Sequence, residues 1–172
     1  QMCIRDSCST MQPGTVTVNI TRTAGDACDN RDFTAAECRL RENAFRMAAI
    51  LKDNVEEFKN SYLTAVSVQA GVRETRRIKG VHTLTGEEYL NAVHFEDSIS
   101  RGAHPIDIHV SKGEKQNITF LKTPAYIPFR SLIAPDYPNL IVAGRCISAD
   151  KTAFASIRVQ SCLLYTSDAA DE

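Results

Sequence analysis

Apolar and polar residues alternate strictly along Thr15-Val-Thr-Val-Asn-Ile20, with Val16, Val18 and Ile20 on one face and Thr15, Thr17 and Asn19 on the other. Period-two alternation rich in β-branched residues predicts a half-buried strand. A polar turn follows, and the period then changes. Ala36, Leu40, Ala44, Met47, Leu51, Val55 and Phe58 recur at spacings of four and three. That is one apolar stripe on a long helix from about residue 35 to about 59. Thr34 and Glu37 stand at capping-box spacing and mark its expected start.

Ser61 to Ala70 reads as a second strand, with Leu63, Ala65, Val66 and Val68 available for burial. A basic segment, Val72-Arg-Glu-Thr-Arg-Arg-Ile78, closes at Gly80. Thr85-Gly-Glu-Glu88 repeats the capping-box spacing and predicts a short helix to about Val93. Ile106 and Ile108 alternate against Asp107 and His109 as on a strand. Lys112 to Lys122 is polar apart from Ile118 and Phe120, and reads as a hairpin or connection. Tyr126-Ile-Pro-Phe-Arg130 is expected to be extended, because the residue before a proline is pushed out of the helical region. Asp136-Tyr-Pro-Asn139 is a turn. Leu140-Ile-Val-Ala143 is a continuous apolar run ending at Gly144, the pattern of a strand buried on both faces. Ala149 to Val159 reads as helix. No repeat or low-complexity linker interrupts this order.

The two ends do not share that patterning. Gln1 to Ser7 is QMCIRDS and Cys162 to Asp168 is CLLYTSD. The DNA string CAG ATG TGT ATA AGA GAC AG encodes the first. Its reverse complement reads C TGT CTC TTA TAC ACA TCT G, which encodes Cys-Leu-Leu-Tyr-Thr-Ser and opens the Asp168 codon. Both ends thus look like translations of one transposon-end sequencing adapter, with DAADE as its continuation. Residues 1–7 and 162–172 are expected to be adapter-derived tails that pack poorly, and the genuine stretch to be residues 8–161, begun and ended in mid-gene.

Without the tails the formal charge moves from −1 to about +2, because Asp168, Asp171 and Glu172 go. Neither value, with no basic run, points to a nucleic-acid or membrane partner. No stretch approaches the roughly 18 apolar residues of a membrane span. Cys3 and Cys162 belong to the tails. Cys8, Cys28, Cys38 and Cys146 form no C-x-x-C pair and no zinc or iron–sulfur spacing. No metal site is expected. Reduced thiols in a cytoplasmic protein are, although a signal peptide ahead of residue 8 is not excluded.

Several segments carry candidate chemistry, each beside a plainer reading. Asn139-Leu-Ile-Val-Ala-Gly-Arg-Cys-Ile-Ser148 places a glycine where an apolar strand ends before a helix, and a ligand phosphate can approach such a backbone closely. Strand–glycine–helix turns are also common packing devices. Arg73, Glu74, Arg76 and Arg77 suit either bidentate capture of an anion or a surface ion-pair network. Asp107 and His109 would share a strand face as an oriented acid–base pair or as ordinary hydrogen-bonded structure. Asp26 to Glu37 fails as a calcium loop, because Cys28 and Arg31 stand where a ligand oxygen and a glycine are needed. Asn19-Ile-Thr21 and Asn117-Ile-Thr119 match the glycosylation acceptor pattern, which has frequent chance hits.

Four of these blocks, in order, resemble the bacterial FAD-dependent oxidoreductases of the glutathione-reductase-like superfamily, in the subgroup grouped with the flavoprotein of heterodisulfide reductase. They are Gly71-Val-Arg-Glu-Thr-Arg-Arg-Ile-Lys-Gly80, Pro105-Ile-Asp-Ile-His109, Tyr126-Ile-Pro-Phe-Arg-Ser-Leu132 and Asn139 to Ser148. Ala153, Ala155 and Arg158-Val159 fit the helix that follows. The resemblance implies an α+β substrate domain over 8–134, then the returning strand and helix of a split α/β, Rossmann-like FAD-binding domain over 135–161. The family holds the FAD pyrophosphate with a G-x-G-x-x-G loop, and no such motif occurs in this sequence. The missing N-terminal half of the same chain is therefore the expected partner, and the fragment alone is expected to be inactive.

By the same resemblance, Ala143, Gly144, Arg145, Cys146 and Ser148 line the flavin phosphate–ribityl region. Ile127, Pro128 and Phe129 lie on the isoalloxazine or substrate side. Arg73, Arg76, His109 and Arg130 are the catalytic candidates, the arginines to stabilise an anion and the histidine to move a proton. The implied activity is flavin-mediated redox of a small-molecule substrate. Some relatives carry an iron–sulfur cluster, for which this chain has no ligand motif. The alternative is a non-catalytic α+β interaction module that shares these blocks.

Overall fold

The computed structural model describes residues 7–109, 116–137 and 139–171. They fall into two compact units that divide between Val72 and Arg73, each described by itself.

In the first unit, β1 (Ser7–Ser9) pairs antiparallel with β2 (Val16–Val18), Ser9 opposite Val16. The alternating run thus yields a strand, but a short one: Val16 is exposed, and Val18 and Ile20 are half-buried. The long helix α1 (Asn30–Asn54) is the longest element. It starts earlier than Thr34. Asp29 is its N-cap, and the carboxylate accepts from the N–H groups of Arg31 at 2.9 Å and Asp32 at 2.8 Å. Thr34 sits one turn inside, and its hydroxyl donates to the Asn30 carbonyl at 2.7 Å. An aspartate cap satisfies two orphan N–H groups and places a negative charge at the positive helix end, which the threonine cannot do. Glu37, freed from capping, accepts from the Ala70 N–H and pairs with Arg41 at 3.5 Å. Within the helix the stripe faces inward as its period requires, with Ala36 and Leu51 buried and Leu40 and Met47 half-buried. The helix stops at Asn54, short of 59. Val55 is extended at φ −126°, and half-buried Phe58 lies in a separate 3-10 turn over Glu56–Phe58.

The strand expected over Ser61–Ala70 does not form. Those residues are irregular, and Val68 is 95% exposed. Without a neighbouring strand to accept its ladder, a β-prone run has no reason to extend.

The second unit carries the main core. Helix α2 (Gly86–Leu90) has the expected capping box: Thr85 accepts from the Glu88 N–H at 3.2 Å, and Glu88 accepts from the Thr85 N–H at 2.8 Å. It ends sooner than Val93 because Ala92 turns left-handed at φ 49°. β3 (Ser98–Gly102) pairs antiparallel with β6 (Ala125–Pro128), with a bulge between Ser98 and Ser100. β4 (Ile106–His109) and β5 (Gln116–Thr119) form an antiparallel hairpin arm. Phe129–Ser131 continues from β6 as a 3-10 turn. Helix α3 (Lys151–Ile157) is capped by Asp150, which accepts from Ala153 N–H at 2.8 Å. Leu84, Tyr89, Ile106, Ile127, Leu132, Ile147, Phe154 and Ile157 meet in one cluster, each at most 2% exposed. Burying each large side chain contributes about 1.5–3 kcal/mol.

Backbone hydrogen bonds join three segments, at Leu84, Ser131 and Ser148, at the edge of this core. Ser148 N–H donates to the Ser131 carbonyl at 3.0 Å, and Leu84 N–H to the Ser148 carbonyl at 3.1 Å. Gly80 lies against this crossing, where a Cβ would come within 2.8 Å of the Ser148 Cβ.

Two further expectations change here. Leu140–Ala143 is not a doubly buried strand: Leu140 and Ile141 are each 44% exposed, and a lone bridge joins Ile141 to Ile133. A parallel central strand needs strands on both sides, and among the described residues none flanks this run. Residues 162–171 are not loosely packed either. They lie in α4 (Gln160–Asp171), which buries Cys162 and Thr166, one turn apart. Leu164 and Tyr165 remain exposed at 63% and 61%. A run without proline or glycine beside an apolar sheet face can form helix and bury one stripe, whatever its origin.

Candidate functional site

The Arg73–Arg77 segment, which belongs to no helix or strand, meets the hairpin and the end of α3. Arg73 Nη1 lies 3.9 Å from the Asp107 carboxylate. Arg158, the C-cap of α3, donates from Nη2 to the Asp107 carbonyl at 2.8 Å. Arg77 pairs with Glu74 at 3.1 Å, and its guanidinium lies over the Phe154 ring, 4.9 Å from the centroid. Its Nη1 is buried with no hydrogen-bond partner. Burial pulls the Arg158 pKa down, Arg73 pulls it further, and Asp107 and Glu74 oppose both. Arg76 is exposed, beside this cluster in sequence. His109 ends β4, but its side chain lies outside the described residues.

Arg130 stands at the 3-10 turn after β6. Its N–H and its Nε both donate to Asp97 Oδ2, at 2.9 and 3.0 Å, and its carbonyl accepts from His82 N–H at 3.2 Å. Its side chain stays half-exposed beyond that clamp. Ile127 and Pro128 are buried in the core, while Phe129 is half-buried.

At the other block, Gly144–Cys146 is a 3-10 turn entered from extended Ala143. Gly144 has φ 82°, a left-handed conformation that favours glycine, and a Cβ there would meet nothing within 4 Å. Ala143 and Gly144 are half-buried and Arg145 is exposed. The Cys146 thiol donates to the Ala143 carbonyl at 3.1 Å and holds the turn closed. Ser148 is buried, its hydroxyl 2.9 Å from that of Thr83.

The family model for FAD-dependent oxidoreductases matches residues 3–171. The chain belongs to the FAD-dependent oxidoreductase family. The reaction class of that family is flavin-dependent redox chemistry. No curated protein and no solved structure matches the chain. Among the described residues, no three His, Cys, Asp or Glu side chains gather to hold a metal ion, and no helix is long and apolar enough to cross a membrane.

One part of the chain has open backbone of the kind a cofactor phosphate needs. The open left-handed Gly144, flanked by extended Ala143 and the Arg145 cation, leaves backbone that a phosphate or ribityl oxygen can approach. Sequence reasoning missed Asp97 and Arg158. Asp97 stands in a stretch with no motif, and Arg158 joins Arg73 only because α3 ends beside β4. The sequence signals for Arg158 were its fit to the helix of the resemblance, with no role attached, and its place at that helix's C-terminus, where a cation is favoured.

Proposed function

We propose that this chain supplies the substrate-domain part of a FAD-dependent oxidoreductase, with the returning segment of a split, Rossmann-like cofactor domain. What carries this reading is the family match along nearly the whole chain, joined to the open glycine at the end of the Leu140–Ala143 run. In this reading Ala143, Gly144, Arg145 and Cys146 hold the phosphate–ribityl part of the cofactor, and Phe129 stands nearest its ring. FAD, when bound, supplies the two-electron exchange with substrate.

The chain's own groups bind and orient. Arg73, beside Asp107, offers a cation to an anionic small molecule. Asp97 positions Arg130 by fixing its Nε, which leaves the outer guanidinium nitrogens half-exposed towards solvent or substrate. His109 is the group proposed to move a proton. The pyrophosphate needs N–H donors and a helix N-terminus that this sequence does not supply in G-x-G-x-x-G form. We assign these to the N-terminal half of the same enzyme, so the chain alone is inactive.

Variants of the whole enzyme test this. Arg73→Ala and Arg130→Ala lower turnover about tenfold or more with FAD occupancy kept. Gly144→Val does the reverse, because a branched side chain enters the cofactor's space. Equal loss of occupancy in all three variants overturns the division of roles.

A further inference from the structure

We draw no further inference here: the strongest candidate, the His82–Glu88 side-chain pair at the N-terminal cap of α2, is accounted for by the capping box that starts that helix, and nothing among the described residues shows what its imidazole would act on.

Discussion

Arg130 grips Asp97 twice, through its backbone N–H and its Nε, and both bonds fall on the same carboxylate oxygen at 2.9 and 3.0 Å. Burial alone would raise the Asp97 pKa, but the bonds from Arg130 outweigh it and hold the carboxyl below the usual range. The ionised form is therefore favoured in the native state. Its contribution is whole above the unfolded carboxyl range near pH ~4 and is lost as pH falls through the lowered native value. Asp97→Asn is expected to cost about 2 kcal/mol at neutral pH and almost nothing in strong acid. Urea unfolding of both proteins across that range checks it. A pH-independent difference would mean that packing, not charge, holds this corner.

The start of α1 separates two caps by experiment. Asp29→Ala removes the acceptor for Arg31 and Asp32, and is expected to cost about 1 kcal/mol and fray the first turn. Thr34→Ala removes only a bond to the Asn30 carbonyl inside the helix, and is expected to change stability by a few tenths of a kcal/mol at most. Thermal melts followed by circular dichroism compare the two. A larger loss for Thr34→Ala would restore the capping box that spacing suggested.

Helix α2 ends on a strained residue. Ala92 adopts φ 49°, its N–H bonds the Tyr89 carbonyl at 3.2 Å, and the Val93 N–H reaches the Glu88 carbonyl at 3.0 Å. This is the paired closure in which glycine is the usual left-handed residue. Ala92→Gly is accordingly expected to stabilise the protein by about 1 kcal/mol. A loss on chemical denaturation would show that the Ala92 methyl packs more than it strains.

Tyr89 is buried, and its hydroxyl lies 3.0 Å from that of Ser156. Burial pushes its pKa up to about 12. The neutral phenol is favoured in the fold, so its contribution is whole below the ordinary tyrosine value near pH ~10 and fades as pH rises through the native one. Tyr89→Phe is expected to remove that alkaline slope at a cost of about 1 kcal/mol near neutrality. Gly102→Ala drives a methyl into the Tyr89 hydroxyl and is expected to cost about 1–3 kcal/mol. Ultraviolet titration and urea unfolding check both variants.

What could be read from sequence depended on where each element finds its partner. The stripe Leu40, Met47, Leu51 carries its own period, and Thr85 with Glu88 closes within one turn, so local pattern suffices for both. The β4 strand was legible in the alternation of Ile106 and Ile108, while 112–122 was legible only as a hairpin or a connection, and its pairing as β5 is made by the fold. Val66, Val68 and Leu140–Ala143 have strand composition, yet a strand exists only beside another, and no local pattern supplies that neighbour. The site divides in the same way. Gly144 was readable as a glycine closing an apolar run, but its left-handed φ of 82° is set by the 3-10 turn that the fold makes there. The arginine cluster was readable as a cluster, but its pairing with Phe154 and Arg158 is made by folding across some eighty residues, roughly the loop that chain closure must span.

The proposed divided flavin site comes down to one titration: FAD added to the chain alone, and to the chain mixed with the proposed N-terminal, G-x-G-x-x-G-bearing half, followed by quenching of flavin fluorescence. The chain alone has the Gly144 backbone but no G-x-G-x-x-G donors for the pyrophosphate. It is expected to leave the fluorescence unquenched and the protein colourless, while the mixture binds one equivalent and turns yellow. Tight stoichiometric binding to the chain alone would contradict the divided site.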